Sequence, residues 1–266
     1  MLNYKLTYKF QEKDSRDYTY TTIPHPTNNK LELTRIIKKG IQNLKITNVS
    51  PKNFVINNLS PILDQGNYGT CVANAFSFTV SKQTNNGIFL SRLFLYNNCR
   101  SIDYCPLNQD DGTTIRTACK AIKSYGVCKE TEYPYISSNL KLLPSLTAFK
   151  KSNYFKTFTY LFVNQDLTSI KKALVMYNSP IIFGIMIYSS FMPSTNGKIP
   201  LPNLNKDRFM GGHCITIVGY DDATQMFKCS NSWGKTWGSN GYCYIPYAYI
   251  LHPKFARDFC VTTFIY

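Results

Sequence analysis

The chain has 266 residues, 44% hydrophobic and 15% aromatic, and carries a formal net charge of +15. That length holds one large domain or two lobes, and the apolar fraction excludes global disorder. The basic residues are scattered, densest at Arg35, Lys38 and Lys39, with no basic run interleaved with aromatics, so nucleic acid is not indicated as a partner.

Residues 1–10 alternate, with Leu2, Tyr4, Leu6, Tyr8 and Phe10 on one side, which predicts a strand or an extended arm. Residues 11–30 are polar, and Pro24 and Pro26 forbid a helix there. Leu33, Ile36, Ile37, Ile41 and Leu44 line one face of a short helix, weakened by Gly40. Asn48, Ser50, Pro51 and Asn53 read as a linker. Residues 1–50 are therefore an appendage to a main domain over 51–266. It is either an extra surface layer or a pro-segment that covers a cleft. The N-terminus lacks the apolar core of a signal peptide, and no stretch approaches a membrane span.

The stretch Gln65-Gly-Asn-Tyr-Gly-Thr-Cys71-Val-Ala-Asn-Ala-Phe changes from turn to helix, with apolar residues at Val72, Ala75 and Phe76. Cys71 stands at that junction. Unpaired N–H groups and the helix dipole favour a thiolate at such a place, and the thiolate is the nucleophile. A lone Cys beside an apolar helix is more often a small buried hydrophobe. Further on, Ser91 caps a second helix, and Thr113 or Thr114 caps a third that Gly126 closes. Asp166 or Thr168 opens a fourth, with Pro180 beyond its end. From Ile181 the texture turns to strands: 181–188, 213–220, 227–229, 242–245 and 259–265. A helical lobe and a β-rich lobe follow, with Cys71 at their junction and a cleft between them.

Nine cysteines include no C-x-x-C pair, which argues against a zinc knuckle; an intracellular, reducing setting with few disulfides is expected. Of the three histidines, only His213 sits at a strand start, in Met210-Gly-Gly-His213-Cys214. A cysteine nucleophile needs an imidazole beside it, and the imidazole needs a group that orients it. Asn231 opens Asn-Ser-Trp233-Gly-Lys-Thr-Trp237-Gly-Ser-Asn-Gly-Tyr and can be that group. A satisfied core histidine and a glycine-rich aromatic turn are the plainer readings of these two segments.

Taken together, the three segments resemble those of papain-family cysteine peptidases, over roughly residues 54–266. Gln65-Gly66 before Cys71 is similar to the family's oxyanion-glutamine and nucleophile segment. Met210-Gly-Gly-His213 resembles the cathepsin B branch and related microbial members, large DNA viruses included. Asn231-Ser-Trp-Gly is a family signature. His213 and Asn231 follow Cys71 by about 140 and about 160 residues, against 130–150 typical of the family. The resemblance implies an α+β, two-lobed papain-like fold with a helical N-terminal and a β-barrel-like C-terminal lobe. It implies hydrolysis of peptide bonds through a Cys71–His213–Asn231 triad and an acyl-enzyme. Gln65 and the Cys71 N–H would hold the oxyanion, and Trp233 would shield the His–Asn bond. Gly112 and Thr113 would pair with substrate backbone, with Gly212 and Trp233 in the same substrate-binding set. Ile115 and Cys214 would wall an apolar pocket. No metal or cofactor is implied; the partner is a peptide or protein substrate, met by a monomer.

Departures from the pattern are Tyr68, where the family has a Cys three residues before the nucleophile, Val72 in place of Trp, and the absence of a long pro-region. Asp14-Ser-Arg-Asp-Tyr18 instead resembles the short arm of microbial members. No adjacent His pair is present, so an endopeptidase is expected. The rival readings are an acyl transferase or ligase using the same triad, and a non-catalytic binding protein on the papain fold.

Overall fold

A computed structural model describes residues 4–15, 17, 50–84, 87–152 and 158–264. The alternation at Leu2, the prolines at 24 and 26 and the helical pattern from Leu33 to Leu44 lie outside the described residues. The first strand, β1 (Asn53–Val55), lies along what the sequence reads as linker: three residues are too few to show a period. Helices α1 (Cys71–Gln83), α2 (Arg92–Ile102), α3 (Ile115–Tyr125) and α4 (Leu146–Ser152) then build one lobe. Strand β2 (Phe158–Phe162) and helix α5 (Leu167–Tyr177) lead into β3 (Ile181–Tyr188), β4 (Phe209–Asp221), β5 (Met226–Ser230) and β6 (Tyr242–Pro246). A single turn, α6 (Tyr247–Ile250), precedes β7 (Ala256–Phe264).

Helix starts follow the capping residues. Ser91 Oγ accepts from the Phe94 N–H at 3.1 Å, Thr114 Oγ1 from the Thr117 N–H at 2.9 Å, and Asp166 Oδ1 from the Ser169 N–H at 2.8 Å. Each such cap contributes about 1 kcal/mol. Helix α3 stops at Gly126 (φ +68°), where a Cβ would lie 2.2 Å from the Ser152 carbonyl. Helix α1 is different. Thr70 precedes it but gives no side-chain cap, so the first N–H groups stay free for other use. The helix is buried from Cys71 through Ser81, which is why its apolar residues cover every face rather than one stripe.

The sheet has seven antiparallel strands in the order β2-β7-β3-β4-β5-β6, with β1 added beside β4. Two apolar clusters define two lobes. One lies among α1, α2 and α3 and includes Phe76, Leu93, Phe94, Ile115, Ile122 and Cys71. The other lies on the sheet and α5 and includes Leu174, Ile181, Phe183, Ile215, Ile217 and Trp233. Cys71 belongs to the first cluster and Trp233 to the second, so the seam between lobes passes between them. Among the described residues no helix is long and apolar enough to cross a membrane.

Candidate active site

The segment 64–70 is held from several sides. Asp64 bridges to Trp233, and the Gln65 N–H donates to the Ser232 carbonyl at 2.8 Å. Ser232 Oγ donates to Gln65 Oε1 at 2.7 Å, and Tyr135 OH donates to the Gln65 carbonyl at 2.9 Å. With Oε1 occupied, the Gln65 amide Nε2 is the group left to face the cleft. It donates to the Tyr68 carbonyl at 2.9 Å and to the Lys5 carbonyl at 3.3 Å. Cys71 follows as the first residue of α1, fully buried.

Across the seam, His213 lies on β4 opposite Ile185 of β3. Its Nε2 donates to Asn231 Oδ1 at 2.8 Å. The same oxygen accepts the Ser232 N–H at 2.8 Å, which fixes the amide orientation. An amide oxygen only accepts, so the neutral imidazole carries its proton on Nε2 and its lone pair on Nδ1. That Nδ1 is buried without a hydrogen-bond partner among the described residues. Trp233 stacks on the imidazole, with centroids 4.8 Å apart, and is itself braced edge-on by Phe191 and Trp237. On the strand beside it, the Cys214 N–H hydrogen-bonds the Cys71 sulfur.

The arm over residues 4–12 lies in this seam. Tyr4 stacks on Trp233 at 4.6 Å and donates its hydroxyl to the Trp233 carbonyl. Thr7 pairs with Gly212 in a parallel bridge, the Tyr8 N–H donates to the Gly212 carbonyl at 3.0 Å, and the Lys9 N–H donates to the Thr113 carbonyl at 3.3 Å. Gly112 (φ +74°) admits this approach: a Cβ there would lie 1.9 Å from the Thr7 carbonyl oxygen. Gly184 does the same beneath Tyr8, where a Cβ would lie 2.0 Å from the ring. Farther along, the Arg116 N–H donates to Gln11 Oε1, its guanidinium donates to the Glu12 carbonyl, and it pairs with Asp17.

Burial decides the charge states. It pushes the Cys71 thiol up to about 12, although backbone N–H groups of Cys214, Val72 and Cys71 itself pull the other way. Burial likewise brings His213 down to about 4 against the Asn231 hydrogen bond. The sequence reading of a thiolate at a helix start is thus corrected for the covered cleft. Desolvation outweighs the helix terminus, and both groups are neutral.

Of the residues singled out in the sequence, Gln65, Gly112, Thr113, Gly212 and Trp233 all border the arm. Cys214 and Ile115 are buried in the same cluster as Tyr8 and Cys71. Two acids escaped the sequence reading. Asp258 accepts from the Tyr8 hydroxyl within the seam, and Asp110 meets Gly69 and Lys5. Asp258 sits at φ +62° in a bulge, where the β3–β7 register shifts between Ile182 and Gly184. Bulges re-aim side chains in this way, and sequence carries no sign of it beyond an acid before an apolar run. Among the described residues no group of three His, Cys, Asp or Glu is placed to hold a metal ion.

Fold and site together define a two-lobed cysteine protease. The model of the papain family cysteine protease matches residues 50–252. An uncharacterized peptidase C1-like protein of Acanthamoeba polyphaga mimivirus is 33% identical over 252 residues, 84% of this chain and 80% of that protein. Xylellain, a cysteine protease from Xylella fastidiosa, superposes with a TM-score of 0.83 at 30% identity, covering 99% of this chain and 98% of the other. A procathepsin B from Trypanosoma congolense shares the fold with a TM-score of 0.67 at 16% identity, over 98% and 87% of the two chains. The chain belongs to the papain family of cysteine proteases and is a papain-like peptidase acting on peptide substrates.

Proposed function

We propose that the chain is a cysteine endopeptidase working through Cys71, His213 and Asn231, and that residues 4–12 keep it latent. Cys71 passes its proton to His213 Nδ1 as its sulfur attacks the scissile carbonyl carbon. The tetrahedral oxyanion is met by Gln65 Nε2 and the Cys71 N–H; one such donor is worth about 3–4 kcal/mol. Collapse breaks the C–N bond, and His213 returns the proton to the leaving amine. Water then loses a proton to His213 and attacks the thioester, which releases the acid and restores the thiol. Asn231 holds the imidazole through Nε2, which leaves Nδ1 to exchange the proton with the sulfur in both halves of the cycle.

One observation carries the reading. Gln65 Nε2 already donates to a peptide carbonyl, that of Lys5, while His213 is oriented by Asn231 across the seam. The arm therefore occupies the place of a substrate, and displacing it is the activating event. The decisive experiment is labelling with an epoxide inhibitor of thiol proteases, before and after arm displacement, followed by mapping of the modified residue. Modification of Cys71 that rises on displacement is expected. Modification elsewhere, or of Cys71 equally in both states, would refute one half of the proposal or the other. Digestion of a long peptide should yield internal cuts; release of successive C-terminal dipeptides alone would make it an exopeptidase.

A further inference from the structure

Asp110 lies in the loop between α2 and α3, and its side chain is only 15% exposed. Its Oδ1 accepts from the Gly69 N–H at 3.1 Å and from Tyr96 OH at 2.6 Å. Its Oδ2 accepts from the same Gly69 N–H at 3.0 Å and from Lys5 Nζ at 3.0 Å. Tyr96 OH in turn accepts from the Gly112 N–H at 3.0 Å. One carboxylate therefore ties three pieces of chain that no covalent bond joins, since all nine cysteines are free thiols. The first is the turn that carries Gln65 at one end and Cys71 at the other. The second is the Gly112–Thr113 edge on which the arm's backbone lies. The third is the arm itself. The fit at Gly69 is close: a Cβ would lie 2.9 Å from Asp110 Oδ1 and 2.4 Å from Thr7 Oγ1.

We propose that Asp110 is the positioning residue of this peptidase: it holds the turn carrying Gln65 and Cys71 in register with the substrate-binding edge, and Lys5 docks on the same carboxylate when the arm covers the cleft. The inference rests on the peptidase reading above. Its physical basis is that Ser232 and Tyr135 hold the turn at Gln65, and Tyr135 and Asn74 hold it at Thr70, whereas the Gly69 N–H between them is held by Asp110. A carboxylate accepting a backbone N–H in both oxygens is a charge-assisted contact with a defined direction. Loss of it lets the turn drift, and a drift of about 1 Å in a catalytic constellation costs on the order of a hundredfold in rate.

The test compares Lys5→Ala with Lys5→Ala/Asp110→Ala and Lys5→Ala/Asp110→Asn in the full chain, so that loss of the arm's ion pair is common to all three. For each, kcat and KM on a small peptide amide, the rate of Cys71 alkylation by iodoacetamide, and hydrogen exchange at the Gly69 amide are measured. In the Ala variant kcat should fall on the order of a hundredfold with a far smaller change in KM. Alkylation, which needs no oxyanion donor, should persist, and Gly69 exchange should accelerate. Asn keeps one acceptor oxygen and should recover part of both effects. Unchanged kcat in the Ala variant overturns the proposal, as does unchanged Gly69 protection. A parallel loss of kcat, alkylation and melting temperature in both variants also overturns it and leaves Asp110 a folding residue only. Absence of hydrolysis in a Lys5→Ala chain whose Cys71 is nonetheless alkylated strikes the peptidase reading itself, whereas loss confined to the Asp110 variants does not.

Discussion

Tyr8 donates its hydroxyl to Asp258 Oδ2 at 2.7 Å, from a ring that is 4% exposed. Burial raises the Asp258 carboxyl above its usual range, while the Tyr8 and Gln11 donors and the nearby Arg257 and Arg116 charges hold it down. Around the ring, Gly184 leaves room for its face, and Cys214 lies in the same buried cluster. The arm's deepest contact is thus an apolar side chain that ends in a donor, matched to an acid at the end of a pocket.

The first prediction follows from that pairing. Tyr8→Phe removes one hydrogen bond to a charged acceptor, worth about 1.5–3 kcal/mol, and keeps the ring. The open fraction of the full chain should rise by about ten- to a hundredfold, and initial rates on a small substrate should rise with it. By the same logic, peptides presenting Tyr, Lys or Arg to this pocket should be cut faster than those presenting Phe or Leu. Asp258→Leu should reverse the order in paired initial-rate assays.

Removal of the arm is the second. A chain starting near Pro51 should outpace the full chain on both a small peptide and a protein substrate, because Lys5, Thr7 and Tyr8 no longer occupy the seam. Unchanged kinetics with a lowered melting temperature would make residues 4–12 a structural layer rather than a latency device.

The third separates nucleophile from oxyanion donor. Cys71→Ala should abolish turnover with the fold kept, whereas Gln65→Ala should slow kcat on the order of a hundredfold and leave alkylation by small reagents nearly intact. Equal loss of kcat and alkylation in Gln65→Ala would show that its bonds to Ser232 and Tyr68 serve the fold first.

The fourth concerns pH. With Cys71 raised to about 12, its alkylation in the full chain should climb without a plateau up to about pH 9, and the inflection should move down once the arm is gone. For His213 the folded value of about 4 lies below the ordinary 6.5. The unfolded chain therefore takes up the proton first as pH falls, so the covered state loses stability through the window from 6.5 to about 4. At about 1.4 kcal/mol per unit this amounts to about 3 kcal/mol. Melting curves of the full chain and of His213→Gln across that window check it; the variant should lack this part of the acid slope.

The turn, helix start and strand around Gln65, Cys71 and His213 were legible in the sequence because such structure is local. The Ser91 cap was legible for the same reason, a side chain bonding a backbone N–H three residues on, while the structure chose Thr114 over Thr113 and Asp166 over Thr168. The apolar runs of β3 and β4 could be read too, since burial on both faces leaves continuous hydrophobic stretches, while β5 and β6 alternate between buried and half-buried residues. Tertiary structure alone decided which distant groups meet. Lys5 reaches Gln65 and Asp110, Tyr8 reaches Asp258, and Tyr96 reaches Gly112 only through the packing of two lobes and a bulge in β7. It decided the protonation of Cys71 as well. A thiol at a free helix start favours its anion in water, but the cost of burying that charge under Tyr8 and its neighbours is larger, and burial is a property of the whole fold.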